Sequence, residues 1–231
     1  MEGKFVDVWQ GSLSVEPEIM AGMLGSLSET EQQKAAAFKL PVMRQRYITV
    51  RFLLRNTLAN YLQTKPRALQ FQVDSYGKPF LACGSLHFNI SHTADILMIA
   101  VANFADIGID VEVIKPRGSL DSLAARCFSM RELHDWQQLP PEHRSVAFYS
   151  LWTKKEAFVK AVGRGIGLGL EQCEVDLQSD GQLRAIPAEY GLATDWKITE
   201  LSIDPSARAA LANRNCKFSL RHLMLVTALE A

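Results

Sequence analysis

Three carboxylates in two short segments carry the chemistry open to this sequence. Asp110 and Glu112 lie in Gly108-Ile109-Asp110-Val111-Glu112, and Glu156 lies in Trp152-Thr153-Lys154-Lys155-Glu156-Ala157, followed by Lys160. The first segment reads as a strand, where alternate residues such as Asp110 and Glu112 share a face. The second reads as a helix, where Glu156 and Lys160, one turn apart, also share a face. A strand and a helix packed together would gather the three acids and the lysine. Mg²⁺ is usually held by a few hard carboxylate oxygens, with water and substrate phosphate completing the shell; Mn²⁺ accepts the same donors. The cluster therefore suits a divalent cation and a phosphorylated ligand. Weighed against this, alternating acids on a strand usually form a solvated face, and a helix bearing Lys154, Lys155, Glu156 and Lys160 is usually surface. Yet strands are depleted in Asp and Glu, and here the acids interrupt the apolar series Ile109, Val111 and Val113. From the residues alone the two readings stand level.

Further polar groups surround these segments. Phe88-Asn89-Ile90-Ser91-His92-Thr93 ends a strand in hydrogen-bonding side chains. A lone histidine such as His92 is most often structural. Neighbouring residues on a strand point apart, which counts against Ser91 and His92 as a nucleophile–base pair, and leaves a phosphate contact as their functional reading. Lys39, Arg44, Arg46, Arg51 and Arg55 make one N-terminal segment basic, either a solvated face with local ion pairs or an anion-binding wall; Lys78, in a turn beside Pro79, is a further cation. Gly163, Gly165, Gly167 and Gly169 follow a helix, the wrong order for a phosphate-binding glycine loop, and read as a helix stop.

Composition narrows the class. The 231 residues are 48% hydrophobic and 22% charged, with 25 basic and 25 acidic residues, so no global field favours nucleic acid or an anionic membrane. Cys83, Cys127, Cys173 and Cys216 are widely separated and form no C-x-x-C pair, which excludes the common zinc and redox motifs. Met1 to Gln10 lacks the basic and apolar regions of a signal peptide, and the apolar run Ile96 to Ala102 is too short to span a bilayer. The expectation is a cytoplasmic protein.

The elements that must position the acids can be placed in outline. Phe5 to Trp9 reads as a strand. Ser28-Glu29-Thr30-Glu31 has the spacing of a capping box, and Pro41 suits the first turn of a second helix. There Met43, Tyr47, Val50, Leu54, Leu58 and Tyr61 recur at helical spacing, which predicts a buried stripe. Strands are expected at Leu86 to Ile90, Ile96 to Ala102 and Ile107 to Ile114, the last two as a hairpin with Asp106 in its turn. Pro116-Arg117-Gly118-Ser119 reads as the internal boundary. Asp121 to Gln138 reads as helical with a break near Phe128-Ser129, and Arg144 to Val162 as a long helix ended by Gly163. A hairpin about Asp180-Gly181 should follow, then strands at Trp196 to Ile203, Ala207 to Ala212 and Leu223 to Leu229.

In order along the chain, Tyr76-Gly77-Lys78-Pro79, Phe88-Asn89-Ile90-Ser91-His92, Gly108-Ile109-Asp110-Val111-Glu112, Cys127-Phe128-Ser129 with Glu132, and Trp152-Thr153-Lys154-Lys155-Glu156-Ala157 with Lys160 resemble the Sfp-type 4′-phosphopantetheinyl transferase family. Each motif alone is weak; five in order are specific. Cys127 stands where the family often has an aromatic residue, a change of packing remote from the acids. The resemblance implies an α+β fold of two structurally similar halves, each with helices on a small, mostly antiparallel sheet and the active site between them, here 1–107 and 108–231. It implies a monomer whose chain ends approach one another. It implies transfer of 4′-phosphopantetheine from coenzyme A to a serine of an apo acyl or peptidyl carrier protein, with Mg²⁺ and release of adenosine 3′,5′-bisphosphate. The carriers would serve fatty acid, polyketide or nonribosomal peptide biosynthesis. Asp110, Glu112 and Glu156 would hold the metal, with Lys160 on the diphosphate and leaving group. Ser91 and His92 would contact the nucleotide phosphates, Lys78 the adenine or 3′-phosphate, and Arg44 and Arg46 the 3′-phosphate. Glu156 or a metal-bound water would take the serine proton. Two other classes stand beside it: a Mg²⁺-dependent phosphodiesterase using the same acids, which needs no carrier, and a non-catalytic module that binds coenzyme A or a carrier and does not need the acids.

Overall fold

The computed structural model describes residues 3–115, 120–177 and 181–225. Four layers stack in the order helix, sheet, sheet, helix. The first sheet consists of β1 (Phe5–Ser12), β4 (His87–Thr93), β5 (Ile96–Ala102) and β11 (Ser219–Met224), reached through the small hairpin of β2 (Phe71–Val73) and β3 (Pro79–Leu81). Its order is β11-β1-β5-β4, with β1 antiparallel to β5 and parallel to β11. The second sheet is antiparallel, with β6 (Ile107–Val113) and β9 (Trp196–Leu201) flanking β10 (Ala207–Arg214). A short hairpin of β7 (Glu174–Val175) and β8 (Leu183–Ala185) lies beside it in sequence.

Alternation along the strands decides what each layer meets. Leu97, Ile99 and Val101 of β5 pack beneath the N-terminal helices α1 (Pro17–Gly25), α2 (Glu29–Ala36) and α3 (Pro41–Leu62). The residues between them, Met98, Ala100 and Ala102, join Val6 and Val8 of β1 in a core shared with Ile107, Ile109 and Val111 of β6. The two sheets thus face one another directly, and β5 is apolar on both faces because both are covered. The far face of the second sheet is covered by α6 (Pro141–Val162), against which α4 (Leu120–Cys127) and α5 (Met130–Gln137) pack, with Ala210 and Ala212 of β10 beneath Ala157, Phe158 and Ala161.

Local signals in the sequence explain the helix ends. Ser28 accepts from the Glu31 backbone while Glu31 returns to the Ser28 N–H, the capping box the spacing predicts. Pro41 and Pro141 occupy first turns, where a missing N–H costs nothing. The predicted break near Phe128-Ser129 separates α4 from α5, with Ser129 and Glu132 forming a second capping box. Gly163 ends α6 at φ 78°, a left-handed conformation that glycine adopts without a Cβ clash. Of the predicted stripe on α3, Val50, Leu54 and Leu58 are buried and Tyr47 and Tyr61 half-buried, whereas Met43 is exposed with the rest of the first turn.

One expectation is overturned. Ile96–Ala102 and Ile107–Val113 do not form a hairpin: β5 pairs with β1 and β4, and β6 pairs with β10. The chain changes sheets between them, turning at Asp106 with φ 61°, and the Asp106 carboxylate accepts from Arg214 Nε at 3.0 Å. A short loop between two apolar strands permits either outcome; burial on both faces of both strands selects the crossing. The predicted boundary at Pro116-Arg117-Gly118-Ser119 lies outside the described residues, as do Asp180 and most of the predicted strand Leu223 to Leu229, whose pairing begins earlier, at Ser219. Strand β11 comes from near the end of the sequence yet runs beside β1, pairing Ser219 with Phe5.

Candidate active site

The site is built where β4, β6 and α6 meet. Gly108 makes the meeting possible. A Cβ there would lie 2.1 Å from the Ala157 carbonyl oxygen and 2.3 Å from the Ala161 nitrogen, so only glycine lets α6 cross β6 this closely. Asp110 and Glu112 follow at alternate positions and therefore lie on the same helix-covered face. The residues offered a solvated surface as the plain alternative; instead Thr153 to Val159 are all buried on α6, and Asp110 is 4% and Glu156 8% exposed.

Within this seam the Asp110 carboxylate has two different environments. Its Oδ1 accepts from Ser91 Oγ at 2.8 Å and from Lys160 Nζ at 2.7 Å; Lys160 Nζ also donates to Ser91 Oγ at 2.9 Å. Its Oδ2 is buried without a hydrogen-bond partner, and so is Glu156 Oε1. Glu112 Oε2 accepts from Thr93 Oγ1 at 3.1 Å. Buried polar atoms nearly always find partners, so two orphaned carboxylate oxygens in one cluster mark a place for a positive ligand. The electrostatics agree. Burial, then the charge of Asp110, and lastly that of Glu112 push the Glu156 carboxyl up to about 7, despite the opposing pull of Lys160.

Among the described residues, no group of three or more His, Cys, Asp or Glu side chains is arranged to enclose a metal ion. The donor set is nevertheless one a hard cation fits: oxygen ligands, excess negative charge and two unsatisfied oxygens.

The basic residues divide. The pKa of His92 is lowered by partial burial and by the nearby charges of Arg46 and Lys160. Arg46 Nη2 donates to the Ala94 carbonyl at 2.6 Å, and Arg44, two residues nearer the start of α3, is exposed. Lys78 Nζ donates to the Ile107 carbonyl at 3.1 Å and the Ala161 carbonyl at 2.9 Å, tying the β2–β3 turn to β6 and α6. Arg51 and Arg55 are engaged elsewhere. Both pair with Glu31, and Arg55 also reaches the carbonyls of Pro66 and Leu69. Glu132, an acid of the motif series, is buried away from the cluster: it caps α5, accepts from the Val175 N–H and pairs with Lys155.

The comparisons with known proteins agree with the ordered motifs. Residues 106–213 match the model of the 4′-phosphopantetheinyl transferase superfamily, and residues 14–104 match that of the 4′-phosphopantetheinyl transferase N-terminal region. The chain is 35% identical to the 4′-phosphopantetheinyl transferase HetI of Nostoc sp. over 211 residues, covering 90% of this chain and 86% of that one. It belongs to the 4′-phosphopantetheinyl transferase superfamily. A 4′-phosphopantetheinyl transferase of Bacillus subtilis is 35% identical over 70% of this chain and 71% of its own length. The transferase Sfp of Bacillus subtilis strain 168 is 32% identical over 68% and 75%. Both matched regions of the superfamily contribute to the seam: Ser91 and Thr93 come from the first, and Asp110, Glu112, Glu156 and Lys160 from the second. The comparisons lend no support to a phosphodiesterase or a non-catalytic module. Among the described residues no helix is long and apolar enough to cross a membrane.

What sequence reasoning missed is the bracing. Thr93 and Gly108 were visible in the motifs, and their spacing was a signal: Gly108 shares the parity of Asp110 and Glu112, and Thr93 that of Ser91. Their partners lie far away in sequence, so their roles were not legible.

Proposed function

We propose that the protein transfers the 4′-phosphopantetheine of coenzyme A to a serine hydroxyl of an apo acyl or peptidyl carrier protein, acting as a cytoplasmic monomer. The active site lies in the seam between halves 1–107 and 108–231. The observation that supports this reading best is the pair of orphaned buried oxygens, Asp110 Oδ2 and Glu156 Oε1, beside Lys160 in a chain of this superfamily. Asp110, Glu112 and Glu156 would hold Mg²⁺, or Mn²⁺ in its place. When bound, the ion neutralises charge on the coenzyme A diphosphate and on the departing bisphosphate.

The protein's own groups supply the rest. Lys160, held by Asp110 and Ser91, presents an ammonium to the diphosphate. His92, Arg46 and the exposed Arg44 offer contacts to the nucleotide phosphates. Lys78 reaches them by exchanging one of its carbonyl bonds, and Ser91 keeps Asp110 and Lys160 in register. The serine oxygen bonds to the phosphorus carrying pantetheine as the bond to adenosine 3′,5′-bisphosphate breaks. Glu156, from its place in the cluster, would accept the serine proton. Such catalysis is positioning and electrostatics, with no covalent enzyme intermediate.

The test is direct. Incubation with coenzyme A, Mg²⁺ and several apo carriers should raise the mass of at least one carrier by one phosphopantetheine. EDTA or Asp110→Ala should abolish the gain. Intact coenzyme A and unmodified carriers throughout would sink the proposal; nucleotide cleavage without a carrier would favour the phosphodiesterase.

A further inference from the structure

We propose that Thr93 is a positioning residue, one that aims the Glu112 carboxylate into the metal-binding cluster; this rests on the reading that Glu112 ligates a divalent cation. β6 takes backbone hydrogen bonds from β10 on one edge only. On its other edge lies β4, and side chains bridge the two strands. Asn89 Oδ1 accepts from the Ile109 N–H at 2.9 Å, and Ser91 Oγ accepts from the Val111 N–H at 3.3 Å. Residues 89 and 91 therefore advance in step with 109 and 111.

Thr93 is the next residue at this spacing, and its hydroxyl has a different partner. It donates to Glu112 Oε2 at 3.1 Å instead of bonding a backbone group. Along the series Asn89 holds the strand, Ser91 holds both the strand and Asp110, and Thr93 holds Glu112. Glutamate has three side-chain torsions, and Glu112 is only half-buried, so a fixed donor such as the Thr93 hydroxyl narrows its choice of rotamers. Threonine suits the task, because its branched Cβ restricts χ1 and Thr93 is buried. The residues after it are anchored too. The Ala94 carbonyl accepts from Arg46, and Ala94 turns at φ 46°. Asp95 accepts from Ser12 Oγ at 2.6 Å and, through its carbonyl, from the Leu13 N–H at 2.9 Å. The hydroxyl is therefore set on a fixed strand end.

Groups that orient metal ligands typically change metal affinity 10- to 100-fold when removed. Mn²⁺ binding should be measured by electron paramagnetic resonance with saturating coenzyme A and no carrier, beside the unfolding midpoint in EDTA. Thr93→Val should weaken Mn²⁺ binding by about 10-fold with the EDTA midpoint unchanged. Thr93→Ser, which keeps the hydroxyl, should restore most of the affinity. In transfer assays Thr93→Val should raise the Mg²⁺ concentration needed for half-maximal rate while kcat at saturating Mg²⁺ holds. Wild-type affinity in Thr93→Val, or a Thr93→Ser variant as weak as Thr93→Val, would overturn the inference. A lowered EDTA midpoint with unchanged affinity would overturn it also, showing Thr93 to be structural. If the wild type binds no Mn²⁺, the metal reading fails and takes this inference with it. If it binds Mn²⁺ yet modifies no carrier, the transfer reading alone fails.

Discussion

Lys155 and Glu156 are neighbours on one helix and enter two opposite electrostatic worlds. Lys155, 0% exposed, donates to the Cys127 carbonyl at 2.9 Å, to the Leu170 carbonyl at 3.0 Å, and to Glu132. Glu132, 1% exposed, completes its set with the Ser129 and Val175 N–H groups, each at 2.7 Å. Burial pushes the Glu132 carboxyl up and the Lys155 ammonium down, and the charge of each partner opposes the other's shift. All three Lys155 donors and both Glu132 oxygens are engaged within the protein. On the opposite side of α6, Asp110, Glu112 and Glu156 set three acids against Lys160, and two buried oxygens lack partners. Glu31 is likewise charge-paired within the protein, by Arg51 and Arg55. A closed polar cluster holds the fold; an open one with excess charge is held by the fold for something that binds.

The contrast can be broken by substitution. The largest effect expected is on transfer in Asp110→Asn. It removes charge from the open cluster and should lower the rate on the order of 10²–10³-fold, with an unfolding midpoint in EDTA equal to or above that of wild type. A clear fall in that midpoint would show that the open cluster also stabilises the fold. Glu132→Ala should do the reverse, since it strands a buried ammonium. Chemical denaturation should show a loss of about 3–5 kcal/mol, and any variant that remains folded should keep its coenzyme A affinity.

Gly108→Ala tests whether close helix approach is what assembles the open cluster. The new methyl meets backbone, which has no rotamer to yield, so a loss of about 1–3 kcal/mol is expected together with a larger proportional loss of transfer. Equal activity at reduced stability would separate helix approach from catalysis.

The smallest effect concerns the Glu31 cluster. Burial works to raise the Glu31 carboxyl, but the hydrogen bond from Arg55, the charge of Arg51, the Ser28 N–H and the charge of Arg55 outweigh it, and its pKa is lowered from 4.5. A carboxylate with a folded value below its unfolded one contributes stability that is present above the unfolded value and lost as pH falls through the folded one. Denaturation curves from pH 6 downward should therefore show a decline below about pH 4.5 that is smaller in Glu31→Gln. Identical slopes in both proteins would remove Glu31 from the closed class.

Much of this was legible in the sequence, for reasons that differ residue by residue. Ser28 with Glu31 and Ser129 with Glu132 bond within their own turns, so spacing alone reveals them. Asp110 and Glu112 share a face by strand geometry, and Glu156 and Lys160 by helix geometry. Arg51 and Arg55 could not be sorted from Arg46, because their partners at Glu31, Pro66 and Leu69 lie on other elements. Nor could the β5–β6 crossing be separated from a hairpin, since alternation fixes which residues share a face and leaves the partner strand open.

The sequence by itself determined the kinds of elements, the faces on which the acids stand and, through five ordered motifs, the family. Those are properties of short-range geometry and residue type. Tertiary structure alone decided that the acid-bearing face is buried under α6, that Ser91 and Thr93 brace it from another sheet, and that Lys155 and Glu156 part company. Such outcomes depend on which surfaces exclude water together and on whether each buried charge finds its partner, and both are set by contacts between residues distant in the chain.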